Sequence, residues 1–245
     1  MGIDYTKRPQ PEQAAAQPAA SGSAAQPAAA AGGVSLSKVT LTKSAPSISL
    51  TKQGSAGGVL RVNLNWNARP PGTPSGGGGF LKRALGGASG AIDLDLACLY
   101  EYNDGSKGVV QALGNTFRDK HTYGADPICW LDGDDRSGTN SGGENLFVNL
   151  AQISGIKRIL VFAFIYQGVA NWAAADGVVT LFPAAGPQVE VRLDDHNPRS
   201  PMCGIALLEN VGGELSVRRE VRYVKGHREL DEAFGWGLRW AAGRK

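Results

Sequence analysis

Along most of this chain apolar and polar residues alternate with a period of two, the pattern of strands that bury one face. Val59–Asn67 carries it most cleanly, with Leu60, Val62, Leu64 and Trp66 on one side and Arg61, Asn63, Asn65 and Asn67 on the other. Upstream, Ser35–Lys38, Thr40–Lys43 and Ser49–Lys52 repeat a small Ser/Thr-rich unit with Leu on one face, and Pro46 interrupts the series. Strands are predicted at Ile92–Tyr102 and Gly108–Leu113, joined by Asn103-Asp104-Gly105-Ser106, a strong hairpin turn. Further strands fall at Asn145–Asn149, Val178–Phe182, Gln188–Leu193, Ile205–Asn210 and Glu214–Val224. Ile156–Tyr166 is continuously apolar apart from two basic residues near its start, as expected of a strand covered on both faces. Leu230–Ala242 ends the chain with Phe234, Trp236, Leu238 and Trp240 alternating as on one strand face. Val169–Asp176 alone reads as a short helix.

Two stretches leave the pattern. Residues 1–33 are Ala, Pro, Gln, Gly and Ser with few apolar side chains, too little to offset the entropy of ordering, so a disordered tail is expected. Arg69–Gly90 is a long Pro/Gly loop around the apolar island Phe80–Leu85. The expectation is an all-β fold over residues 34–245. It is an antiparallel β-sandwich of about ten strands with one or two short helices.

The 245 residues are 42% hydrophobic and carry a net charge of only +3, so bulk charge gives no reason to expect nucleic acid. The distribution matters more. Residues 93–144 hold ten acidic against four basic side chains, a local charge of −6, which leaves about +9 for the rest. Cys98, Cys129 and Cys203 are widely spaced, with no CxxC pair, which points to buried free thiols and a cytoplasmic setting. No apolar run is long enough for a transmembrane helix, and no secretory leader is expected.

The acidic excess has two foci. Asp93 and Asp95 stand at i, i+2 in an apolar strand, so they share a face. Ile128–Asn149 then packs Asp132, Asp134, Asp135 and Glu144 among four glycines. Carboxylates this dense repel one another unless a cation joins them, and hard cations such as Ca2+ take oxygen ligands from flexible loops of this composition. It is not an EF-hand: with Asp132 at position 1, Glu144 falls at 13, and position 6 is Ser137. An ordinary Asp/Gly/Ser turn is the competing reading of the loop, and a solvated face that of the strand. Asn67, at a strand end, could add an amide oxygen.

These motifs, taken in order, resemble the TerD-domain tellurium-resistance family, and within it the TerA branch. They are VSLSKVTLTK, VNLNWN, IDLDLACLYEYNDGSKGVVQALGN, LDGDDRSGTNSGGENL, RILVFAFIYQGVANWAAADGVVT and FGWGLRW. The resemblance spans residues 34–245. It implies a β-sandwich that binds Ca2+ through acidic loops at one end. It also implies a non-enzymatic role in resistance to tellurite, phage, colicins and chemical stress, beside other proteins of the same resistance system. Residue by residue, the family's DxD motif falls on Asp93 and Asp95, and its Gly-Asp-rich loop on Gly133, Asp134, Asp135, Arg136, Ser137 and Gly138. The trailing acidic cluster falls on Gly142, Gly143 and Glu144. This chain departs from the family by having Ser141 and Gly143 where acids are common, and Asn67 where the family has Asp after Trp. Related proteins have been described as binding cyclic AMP, which makes a cyclic-nucleotide module the alternative function. No Gly-rich phosphate loop precedes a helix to support it.

The remaining chemistry reads as structural. His121, His196 and His227 are expected on the surface, grouped with no cysteine for zinc. Arg218, Arg219, Arg222, Lys225 and Arg228 alternate with apolar residues as a solvated face would, with peripheral contact to lipid headgroups the lesser reading. Trp236 and Trp240 are expected to anchor the chain end in the core.

Overall fold

A computed structural model describes residues 37–67, 92–120, 126–134, 142–168, 172–193 and 200–242. The predicted tail, the Arg69–Gly90 loop, Asp135, His121 and His196 lie outside the described residues. Within them twelve strands form two six-stranded sheets. The first sheet orders β1 (Lys38–Thr40), β10 (Gln188–Arg192), β9 (Val178–Phe182), β3 (Val59–Asn65), β7 (Glu144–Asn149) and β6 (Cys129–Leu131). The second orders β2 (Ser47–Ser49), β12 (Glu214–Val224), β11 (Met202–Val211), β8 (Ile156–Gln167), β4 (Asp93–Tyr102) and β5 (Lys107–Val110). All pairings are antiparallel except β1 with β10. The all-β sandwich expected from the alternation is present.

The alternation works as read. Leu60, Val62 and Leu64 of β3 face Leu94, Leu96, Cys98, Tyr100 and Tyr102 of β4 and Ile159, Val161 and Ala163 of β8 in one inter-sheet core. The opposite face of β4 and β8, with Ala97, Leu99, Leu160, Phe162 and Phe164, forms a second apolar cluster. Thus β8 is covered on both faces, as its continuous apolar run required. The Asn103–Ser106 turn joins β4 to β5, with Gly105 at positive φ and Asp104 accepting from the Ser106 amide.

Two expectations need correction. Cys129–Leu131, absorbed into the acidic loop in the sequence reading, is an edge strand on β7. Its signal was the apolar run Ile128–Leu131, too short to stand out beside the acids. More consequentially, the closing segment is not a strand. A short helix α1 spans Trp172–Ala175, and a second, α2, spans His227–Phe234. Leu230 and Phe234 are one helical turn apart, and Gly235, in the left-handed region at φ 62, ends the helix with its amide on the Asp231 and Glu232 carbonyls. The apparent alternation of Phe234, Trp236 and Leu238 came from glycines 235 and 237, which bend the chain rather than extend it. α2 lies on the second cluster beside Gly204, where a Cβ would stand 2.8 Å from the Phe234 ring.

Candidate metal centre

β4 carries Asp93 and Asp95 on the face shared with Ala97 and Leu99, and both are buried. At this end β4 extends past β5, whose pairing covers only Cys98–Glu101. Glu144 opens β7 in the other sheet and points to the interior, in register with Leu146 and Val148. Its carboxylate reaches across and accepts the Leu96 amide at 2.6 Å. One side chain thereby ties the two sheets together beside Asp95. Asp134 joins them from the loop after β6. Carboxylate oxygens of Asp95, Asp134 and Glu144 all lie within 4.8 Å of one another.

Two of these three groups are almost wholly withdrawn from water: Asp95 is 0% exposed and Glu144 4%. Buried carboxylates in mutual reach carry a heavy electrostatic cost unless a positive charge is shared among them. A convergent set of hard oxygen donors on a turn and a strand fits a cation of the Ca2+ type, which accepts irregular coordination. The donor set contains no soft ligand that would favour zinc.

The surrounding backbone explains the placement of Glu144. Asn63, on the side of β3 away from the core, donates to the carbonyls of Gly142 at 2.6 Å and Glu144 at 3.3 Å, and to the Asn145 side chain at 2.9 Å. Gly143 sits at φ 63, and a Cβ there would collide with the Leu64 carbonyl oxygen. The turn is therefore pressed onto the end of β3, aiming the next residue inward. The sequence reading did not single out Asn63. The only trace of it was an Asn inside a strand, which also suits a solvated face. Trp66 closes the same end by donating its indole N–H to the Ile92 carbonyl at 2.9 Å.

The other predicted ligands are placed differently. The Asp132 carboxylate accepts from the Asn145 side chain at 2.9 Å, on the opposite side of β7 from Glu144. Asn67 is exposed beyond β3, its amide donated to the Ala175 carbonyl at 2.7 Å. Asp93 is buried two residues before Asp95, and Asp135 lies outside the described residues.

The excess of acids along residues 93–144 is only partly an excess in space. Glu101 is held by Lys157 at 2.7 Å and Arg158 at 2.6 Å. Burial pushes its carboxyl up, but the two hydrogen-bonded cations outweigh that and leave it below the usual range. Asp119 is buried and accepts the Ile128 and Cys129 amides at 2.7 and 3.1 Å, pinning the start of β6. Neither belongs to the carboxylate cluster.

The three cysteines are free and buried. Burial drives the Cys98 thiol well above its ordinary value, and its neighbour Cys129 adds to the shift. His227 departs from the surface position expected of it. It is half-buried among Phe162, Phe164 and Trp240, with its Nε2 2.8 Å from the Gln111 side chain. Desolvation lowers its pKa to about 4. Arg218, expected on a solvated face, is in salt bridges with Glu209 and Glu220. No helix among the described residues is long and apolar enough to cross a membrane.

Against known proteins, the chain is 45% identical over 212 residues to a tellurium resistance protein TerA of an Alcaligenes species. The match takes in 86% of this chain and 60% of that protein, so the chain spans about three fifths of the relative's length. No family model matches it. Among solved structures, a protein of unknown function aligns with a TM-score of 0.49 and 16% identity, over 70% of this chain and 92% of its own. A Streptomyces coelicolor A3(2) homologue of telluride resistance protein (TerD) aligns with a TM-score of 0.45 and 18% identity, over 71% and 95%. Both scores are below 0.5, and the fold given above rests on the strands themselves.

Proposed function

From the premise that this chain belongs to the TerD-domain tellurium-resistance family, in its TerA branch, we propose that it is a non-enzymatic Ca2+-binding protein of a bacterial tellurite-resistance and chemical-stress system. One observation carries the reading: the convergence of the Asp95, Asp134 and Glu144 oxygens within 4.8 Å at one end of the sandwich. Those three residues would hold the ion. Asp93 is a further buried carboxylate on the same strand, whereas Asp132 is engaged by Asn145 and Asn67 is exposed beyond β3. A divalent cation supplies charge neutralisation and a rigid crosslink there.

The chain's own part is positional. Glu144 links the β7 turn to the backbone of β4, and Asn63 holds that turn in place. Neutralising the carboxylates orders the loop end and presents it to other proteins of the same system. Binding, rather than turnover, is the role that fits. The Cys98 thiol is pushed away from the thiolate form a nucleophile needs. Free buried cysteines suit a reducing cytoplasm.

The test is calcium titration of the full chain after chelation, with Mg2+ alongside, followed by calorimetry and melting temperature. An ion at one hundred times its Kd stabilises the folded state by about 2.7 kcal/mol. Ca2+ should raise the melting temperature, and Asp134→Asn with Glu144→Gln should abolish the rise. An unresponsive wild type, or a double variant that responds equally, would overturn the proposal.

A further inference from the structure

At the other end of β4 lies a second, oppositely charged feature. A cavity of about 550 Å3 opens between the β4–β5 hairpin and the segment that follows α2. Tyr100, whose hydroxyl receives the Lys120 amide at 3.3 Å, contributes to its lining. Its walls carry Lys107, Lys120 and Arg239, and Leu238 and Trp240 supply an apolar side. Among the described residues the one acid lining it, Asp104, has one oxygen occupied by the Ser106 amide and hydroxyl at 2.8 and 2.6 Å. Among the described residues neither Lys120 nor Arg239 is in an ion pair.

The walls are preorganised by contacts that do not use up this charge. The buried Asp231 carboxylate accepts the Gly237 and Leu238 amides at 2.7 and 2.8 Å and the Trp240 indole N–H at 3.1 Å. Lys107 donates to the Trp236 carbonyl at 2.6 Å, tying hairpin to tail while leaving its ammonium two further donors. Gly108 is required as well: a Cβ there would meet the Tyr100 hydroxyl at 2.5 Å and push the ring out of place.

Three cations against one engaged carboxylate in a recess concentrate anions from solution. The volume lies within the range of small-molecule sites. Arginine's planar fork matches phosphate, and lysines serve it as point charges. We infer that this cavity binds a small organic phosphate, its anionic group on Lys107, Lys120 and Arg239 and its apolar body on Leu238 and Trp240. Asp95 and Tyr100 are five residues apart on one strand, about 17 Å, so the site is separate from the carboxylate cluster.

The experiment uses the full chain in calcium-free buffer at moderate ionic strength, titrated with phenyl phosphate and with inorganic phosphate. Tryptophan fluorescence and calorimetry supply the readouts. Phenyl phosphate should bind with a Kd below about 1 mM and more tightly than inorganic phosphate, and Lys120→Ala with Arg239→Ala should weaken it about tenfold or more. Both residues are exposed, so the variant should melt like wild type. The inference is overturned if neither probe binds, if the double variant binds phenyl phosphate as wild type does, or if phenyl phosphate has no advantage. Because calcium is absent, either result stands apart from the fate of the cation reading.

Discussion

Arg158→Ala removes a side chain that ties the outer face of the second sheet to the segment closing α2. In the native protein its Nε donates to Glu101 at 2.6 Å, and Nη1 and Nη2 reach the carbonyls of Phe234 and Gly235 at 2.9 and 3.0 Å. The guanidinium also lies 3.9 Å from the Trp236 ring centroid. The pair is largely shielded, with side-chain exposures of 22% for Arg158 and 10% for Glu101. Hydrogen bonds to charged groups contribute about 1.5–3 kcal/mol each, and a partly desolvated cation–π contact about 0.5–2. These terms are not additive. Breaking a buried pair costs about 3–5 kcal/mol, chiefly through the charge left behind. Here Lys157 remains on the other Glu101 oxygen at 2.7 Å. The cost should therefore fall near the lower end, about 3–4 kcal/mol. A domain of this size loses about 2–4 °C per kcal/mol, so melting should drop by roughly 10 °C. Trp236 is buried under Arg158, so tryptophan emission and circular dichroism should report the loss together. Arg158→Lys, which keeps the charge but not the fork, should recover less than half. A drop below about 2 °C for the alanine variant would refute the assignment of Arg158 as the latch of the C-terminal segment.

His227 has its folded pKa lowered from 6.5 to about 4 by desolvation. The unfolded chain therefore binds the extra proton first, and stability present above pH 6.5 should fall towards pH 4, by up to about 3 kcal/mol. His227→Gln should flatten that part of a denaturation-versus-pH curve, and an unchanged slope would exclude the residue as its cause. Glu101 works in a lower window. Its folded pKa is depressed, so its contribution is present above about pH 4.5 and lost as pH falls through the folded value, and Glu101→Gln should remove that acid limb. Gly143→Ala places a side chain at positive φ against the Leu64 carbonyl. It should cost about 2–4 kcal/mol in urea denaturation and shift Glu144. A near-neutral result would mean that the turn is not pressed onto β3.

Sequence alone determined the elements whose period is unambiguous. The alternation of Leu60, Val62 and Leu64, the double covering of β8, and the turn at Asn103–Ser106 follow from local rules about which side chains a strand can bury and which residues a turn accepts. It also named Asp95, Asp134 and Glu144 among seven candidate ligands, with Asp134 and Glu144 foremost, but nothing local brought these three together. Which of them converge was a tertiary decision. Which way β7 starts depends on Gly143 fitting under the Leu64 carbonyl and on Asn63 holding the turn, and these partners are some eighty residues apart in the chain. That geometry turns Glu144 inward towards Asp95 and leaves Asp132 with Asn145. Long-range packing likewise drew Glu101 and Asp119 out of the acidic group, to cations and backbone amides that local composition does not reveal. At the chain end, the left-handed Gly235 and the close approach of Phe234 to Gly204 overrode an apparent strand period. A period of two can be written by glycines as well as by a pleated face, and only the surface available for packing distinguishes them.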